Sequence, residues 1–180
     1  MNNLKVVGID PGKGGGICCI RENKQVELGP MPDGVDKVVE YIQYLKLDGF
    51  TLVFLEKVQA WVKDEESRGK GIGVAKLLKN FNEIETALRI MGVPYILVHP
   101  ITWQKALRVY GVNTKGFKNK KNAWKGFAIQ QFPQKLKQIN LKTADAACIA
   151  WYGMNELRTR PSATLGRVEN KSLVQGLKFT

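Results

Sequence analysis

Three features of this sequence predict an α/β fold. Val6-Val7-Gly8-Ile9-Asp10 is an apolar run that stops in a carboxylate, turns through Pro11 and four glycines up to Gly16, and resumes as Ile17-Cys18-Cys19-Ile20. That is a strand, a tight turn and a returning strand. Thr51-Leu52-Val53-Phe54-Leu55 is a continuous apolar run, as expected of a strand covered on both faces in a parallel sheet. Between and after these runs, apolar residues recur at helical spacing.

Composition bounds the rest. The chain has 180 residues, suited to one domain with a sizeable core. Apolar residues make up 44%, which is ordinary for a globular chain. Lys and Arg number 28 against 16 Asp and Glu, a net charge of +12. That exceeds the roughly 2–8 charges that solubility asks of a small domain. It points to a polyanionic partner such as nucleic acid. Three cysteines without a CxxC pair give no disulfide framework, and a single histidine, His99, argues against structural zinc. The cysteines are expected to pack as small apolar residues in a reducing compartment. No apolar run approaches the ~20 residues of a membrane helix, and no signal peptide is evident. A soluble, cytoplasmic protein is expected, with no membrane partner.

Taken in order, strands are expected at Leu4–Asp10, Gly16–Arg21 and Gln25–Leu28, the last closed by Pro30 and Pro32. Val35–Leu47 has apolar residues at 35, 38, 39, 42 and 45, an amphipathic helix broken by Asp48-Gly49. The strand from Thr51 ends in Glu56, repeating the opening pattern of a strand that terminates in an acid. Gln59–Ile72 is polar and Gly-rich and reads as an exposed loop. Within it Trp61 either folds back onto the body or meets an unstacked base. Val74–Met91 carries one apolar stripe, ended by Gly92-Val93-Pro94. Glu85 falls inside that stripe, where a carboxylate must be paired, bound to metal, or at the edge with its head in water. Tyr95–Val98 is a strand, and Ile101–Tyr110 a short helix.

Lys115, Lys118, Lys120, Lys121 and Lys125 are then interleaved with Phe117 and Trp124. Cations on flexible stems beside stacking surfaces suit a phosphate backbone; the alternative is a solvated basic loop. Ala123–Phe132 is expected to be helical, followed by a helix from Thr143, a plausible N-cap. Asp145, Ile149 and Tyr152 share a face, which turns Asp145 toward the sheet. An acid in a first helical turn is also favoured by the helix dipole alone. One domain over 1–157 and a basic tail over 158–180 are expected.

The order strand-Asp, strand-Glu, helix-Glu, helix-Asp gives Asp10, Glu56, Glu85 and Asp145. Carboxylates converging at one sheet edge make a hard oxygen site for Mg²⁺ or Mn²⁺. Such ions activate water and stabilise the leaving oxygen of a phosphodiester.

Gly8-Ile9-Asp10-Pro11-Gly12 alone resembles both the first motif of the RuvC-type Holliday-junction resolvases and the phosphate hairpin of actin-like ATPases. The chain is short for the second, and no second phosphate hairpin is found. Leu55-Glu56-Lys57-Val58, Glu85 upstream of Met91-Gly92-Val93-Pro94-Tyr95, Thr102-Trp103-Gln104-Lys105 and Thr143-Ala144-Asp145-Ala146 then follow in order. The set, over about residues 4–156, resembles a RuvC-type resolvase of the phage and prophage kind. The resemblance implies a ribonuclease-H-like fold: a five-stranded mixed sheet, its first three strands antiparallel, with helices on both faces. It implies a homodimer on branched DNA and Mg²⁺-dependent nicking of opposing strands to leave 5′ phosphates, with Mn²⁺ as a substitute ion. Carried over by position, Asp10, Glu56 and Asp145 are metal ligands, and Glu85 matches an acid of the phage-type forms. One position departs from the pattern. Lys142 stands where many members carry an acid or a histidine. A protonated lysine binds no metal, but it can contact the scissile phosphate or help deprotonate water. The departure leaves open one metal or two, and reduced activity. A nuclease on other DNA or RNA–DNA substrates, or a junction-binding protein without catalysis, are the alternative readings.

Overall fold

The computed structural model describes residues 4–47, 49–58, 71–109, 111 and 120–169. Trp61, Lys115 and Lys118, three of the expected nucleic-acid contacts, lie outside the described residues.

The strands are β1 (Lys5–Asp10), β2 (Gly16–Arg21), β3 (Val26–Pro30), β4 (Thr51–Glu56) and β5 (Tyr95–Val98). They form one sheet in the order β3-β2-β1-β4-β5. β1 pairs antiparallel with β2, and β2 with β3. β4 runs parallel to β1, and β5 parallel to β4. This is the ribonuclease-H-like arrangement. Pro30 is tolerated because β3 is an edge strand. At the opposite edge, the Glu169 amide donates to the Tyr95 carbonyl at 2.8 Å.

Side chains alternate across the sheet, so each strand feeds two cores. Val7, Ile9, Ile17, Cys19, Val53 and Leu55 face α1 (Val35–Lys46) and α2 (Gly71–Ile90). Val6, Cys18, Ile20, Leu52, Phe54 and Val98 face the other layer. That layer holds α3 (Pro100–Val109), α4 (Lys120–Gln131) and α5 (Ala144–Thr159). The parity matters: Gly8, Asp10, Phe54 and Glu56 all belong to the α5 side.

α5 lies directly on β1. A Cβ on Gly8 would collide with the Ala146 carbonyl and the Ala150 amide, and one on Gly153 would enter the Phe54 ring. Glycine under the helix and Ala146, Ala147 and Ala150 on it let the two backbones touch. The contact sets the first turn of α5 over the end of β1.

Two helices begin earlier than their apolar patterns suggest. α2 starts at Gly71 rather than Val74, and α4 at Lys120 rather than Ala123. In α4, burial of Ala123, Trp124, Phe127 and Ala128 holds the helix, and it extends back through the lysines. Thr143 precedes α5, but its hydroxyl does not cap the helix. It donates to the Gln138 carbonyl at 2.7 Å and accepts from the Asn140 amide at 3.0 Å, tightening the turn before the helix. Residues 158–169, set apart in the sequence as the start of a basic tail, pack on the domain. α5 continues to Thr159, α6 spans Pro161–Leu165, and Val168 is buried. Glu156 anchors them through Arg160 at 3.4 Å and Arg167 at 3.7 Å.

Candidate active site

Asp10 is the last residue of β1 and Glu56 the last of β4. Parallel pairing in register puts them at one end of two adjacent central strands, on the same face. α5 crosses that face and supplies Asp145 from its first turn. Asp10 and Asp145 are both nearly buried, at 9% and 8% exposure.

Each carboxylate is held differently. Asp10 Oδ1 accepts the Gly12 amide at 3.2 Å, which folds the β1–β2 turn around it. Gly15 backs this turn so closely that a Cβ would meet Asp10 itself. Glu56 Oε1 accepts the indole N–H of Trp103 at 2.9 Å. Trp103, fully buried on α3, packs edge-on against Trp124 of α4, ring centres 5.4 Å apart. The Trp124 carbonyl in turn accepts the Cys148 thiol of α5 at 3.5 Å. Three helices are thus locked together behind Glu56. One turn before Trp124, Lys121 reaches into the cluster, its Nζ 3.1 Å from Asp145 Oδ2. Asp145 Oδ1 is buried and has no hydrogen-bond partner among the described residues.

The three acids strain one another. Burial raises Asp10 to a pKa of about 6, with the Gly12 amide opposing and Asp145 adding. Burial raises Glu56 to about 8, reinforced by the charge of Asp10 and opposed by the Trp103 hydrogen bond. Asp145 is also raised by burial, with Lys121 pulling it back. Buried, mutually repelling carboxylates call for a cation.

The donor set fits a hard divalent ion in chemistry and charge: three carboxylates, one of them with an orphaned buried oxygen. Among the described residues, no three acid, His or Cys side chains already converge on a single point. Binding an ion would therefore have to draw them in.

The other expected site residues fall elsewhere. α2 passes Gly12 at Leu77. Glu85 is eight residues further on, about 12 Å along a helix at 1.5 Å per residue. Its carboxylate accepts the Tyr95 hydroxyl at 3.0 Å and pairs with Arg89 at 3.2 Å. Tyr95 opens β5, whereas Glu56 closes β4. The structure does not bring Glu85 to the trio; a hydroxyl and a guanidinium satisfy it within its stripe. Lys142 is exposed, its amide bonded to Asn140 Oδ1 at 2.8 Å, and it is not among the charges acting on the three acids. The cation there is Lys121, read from sequence only as a phosphate contact. Lys120 is exposed and Lys125 half-exposed, the latter one turn beyond Lys121 on α4. The sequence reading also missed Trp103 as a partner of Glu56. An indole N–H needs an acceptor when buried, but nothing local to Trp103 says which.

No family model matches the chain, and no curated protein matches it. Among solved structures, the chain is similar to RuvC of Thermus thermophilus. One such structure, in complex with Holliday junction substrate, is 16% identical, with 87% of this chain and 96% of that one covered and a TM-score of 0.44. Another is 19% identical, covering 92% and 98%, with a TM-score of 0.46.

Proposed function

We infer that this chain is a metal-dependent endodeoxyribonuclease selective for branched DNA such as four-way junctions. The observation that carries the reading is the placement of Asp10, Glu56 and Asp145. One α/β sheet edge gathers two buried carboxylates, Asp10 and Asp145, and a partly buried one, Glu56, from two central strands and a helix. The net charge of +12 supports a polyanionic substrate. The choice of branched DNA rests on the ordered motifs from Gly8 to Ala146.

Asp10, Glu56 and Asp145 would hold Mg²⁺, or Mn²⁺ in its place. A divalent ion there supplies an activated water and charge stabilisation at the leaving oxygen. The chain's own groups do the rest. The Gly12 amide and the Trp103 indole orient Asp10 and Glu56 and limit how far each must move when an ion binds. Lys121 adds a positive charge beside Asp145. Lys120 and Lys125, with Lys115, Lys118 and Trp61, would track the strand. Water gives up a proton and attacks phosphorus, the P–O3′ bond breaks, the leaving oxygen takes up a proton as a 3′ hydroxyl, and a 5′ phosphate remains. A homodimer would present two such sites to opposing strands.

Lys142 in place of an acid favours a second reading, a junction-binding protein with impaired catalysis. Cleavage of a labelled four-way junction, beside a linear duplex and an RNA–DNA hybrid, with and without Mg²⁺ or Mn²⁺, separates these. Metal-dependent paired nicks confined to the junction are expected. Tight binding without cutting under any ion would install the second reading. Cleavage confined to the hybrid or the duplex would move the activity to another substrate.

A further inference from the structure

The carboxylate cluster already contains a cation that belongs to the chain. Lys121 Nζ sits 3.1 Å from Asp145 Oδ2, on a side chain 45% exposed, while the Asp145 side chain is 11% exposed. The ammonium therefore reaches in from solvent to a buried acid. Its position is built by the helix: Trp124, one turn later, is buried against Trp103 and fixes the first turn of α4 over the site. The same lysine is the cation that acts on Asp10 and Glu56 as well.

Charge arithmetic sharpens the point. Three carboxylates and one ammonium sum to −2. One divalent ion neutralises that set, and a second would leave it at +2. Among the described residues no fourth carboxylate joins the trio to absorb the excess: Glu85 pairs with Tyr95 and Arg89, and position 142 is a lysine.

We propose that this site takes a single divalent ion, and that the Lys121 ammonium holds the second cation position, on Asp145. This rests on the metal-dependent reading above and concerns what is particular to this chain. In such a site Lys121 is fixed before substrate arrives. It presents a positive charge to a phosphate oxygen on the side of Asp145, where a second ion would otherwise do so.

The test counts bound ions rather than turnover. The full-length protein is dialysed to equilibrium against Mn²⁺ and bound ion is measured, for the native chain, Lys121→Gln and Lys121→Arg, with each fold checked by circular dichroism. The native chain and Lys121→Arg are expected to take up one equivalent. Lys121→Gln, with the charge gone and the amide still able to hydrogen-bond, is expected to take up two. Two equivalents in the native chain overturn the proposal, and so does a single equivalent in Lys121→Gln. Should Lys121→Gln fail to fold, two equivalents in Lys121→Arg or in the native chain would still overturn it, and one in both supports it. No uptake by any of the three would overturn the metal-dependent function itself, and this inference with it.

Discussion

The indole N–H of Trp103 is the hydrogen-bond donor to Glu56 Oε1, at 2.9 Å. It joins the helix that follows β5 to the acid that ends β4, and it favours the ionised form of a carboxyl that burial otherwise keeps protonated. Trp103→Phe keeps an aromatic ring against Trp124 and removes the donor. Partners behind a metal ligand are commonly worth 10–100-fold in affinity. Mn²⁺ affinity is therefore expected to fall about tenfold, with the fold retained. Unchanged Mn²⁺ affinity would show that Trp103 only packs.

Asp10 closes the central strand and is wrapped by its own turn through the Gly12 amide. Asp10→Asn keeps the shape and the acceptor for that amide but loses the charge. Cleavage is expected to drop by roughly 10³-fold or more, the scale of losing several kcal/mol of charge stabilisation. Junction binding, measured by mobility shift, should persist. A variant that cuts at the native rate would remove Asp10 from the site.

Lys120 and Lys125 lie on α4 beside Lys121, and a lysine on a phosphate releases counterions when DNA binds. Replacing both with Ala is expected to weaken junction binding and to lower the slope of log affinity against log salt by about 2, about 1 per contact. An unchanged slope would place the DNA on another face.

Much of this arrangement was legible before any coordinates. The strand ends at Asp10 and Glu56 could be read because an apolar run that stops in an acid is a local pattern. The parallel pairing of β1 and β4 then makes neighbours of residues 46 positions apart. Asp145 was legible through its helical face. Glu85 was misplaced because a stripe gives a side of the helix but not a height along it; Leu77, not Glu85, is level with the site. Lys121 was read for its charge and not for its helix. Two lysines opening a helix oppose its dipole, and that local conflict is resolved by Asp145, 24 residues away in sequence. Trp103 was visible as a motif residue, but its acceptor comes from another element. What stayed hidden in each case was a partner set by tertiary packing.

Two glycines make opposite forecasts for the same substitution. Gly8 underlies α5, where a Cβ would press on the Ala146 and Ala150 backbone. Backbone cannot turn aside, so Gly8→Ala is expected at or above the upper end of the 1–3 kcal/mol typical of overpacking. Because Ala146 follows Asp145, it should also lift Asp145 from Asp10 and weaken Mn²⁺ binding. Gly126 is exposed within α4 with open space where a Cβ would stand. Gly126→Ala is expected to stabilise by about 1 kcal/mol through helix propensity alone. Thermal melts read both signs; a neutral Gly8→Ala would mean that α5 does not rest on β1 this closely.

The raised carboxyls also set a pH dependence for the metal-free protein. An acid whose pKa is higher in the folded chain holds a proton that the unfolded chain has released. Its contribution to stability is whole below the unfolded value, about 4, and is lost as pH climbs through the folded value. For Asp10 that value is about 6 and for Glu56 about 8. The part of metal-free stability that these two acids contribute should therefore decline from about pH 4 to about pH 8 and then level off, each unit of displacement being worth about 1.4 kcal/mol. A divalent ion favours the ionised carboxylates, so the stabilisation that Mn²⁺ confers should grow over the same range. Melts in chelator and in Mn²⁺ across that range test both halves. Glu56→Gln removes a titrating group, so the difference between its profile and the native one isolates the contribution of Glu56. A native metal-free protein that grows more stable than Glu56→Gln as pH rises would mean that Glu56 is stabilised as an anion, with a partner strong enough to overcome its burial.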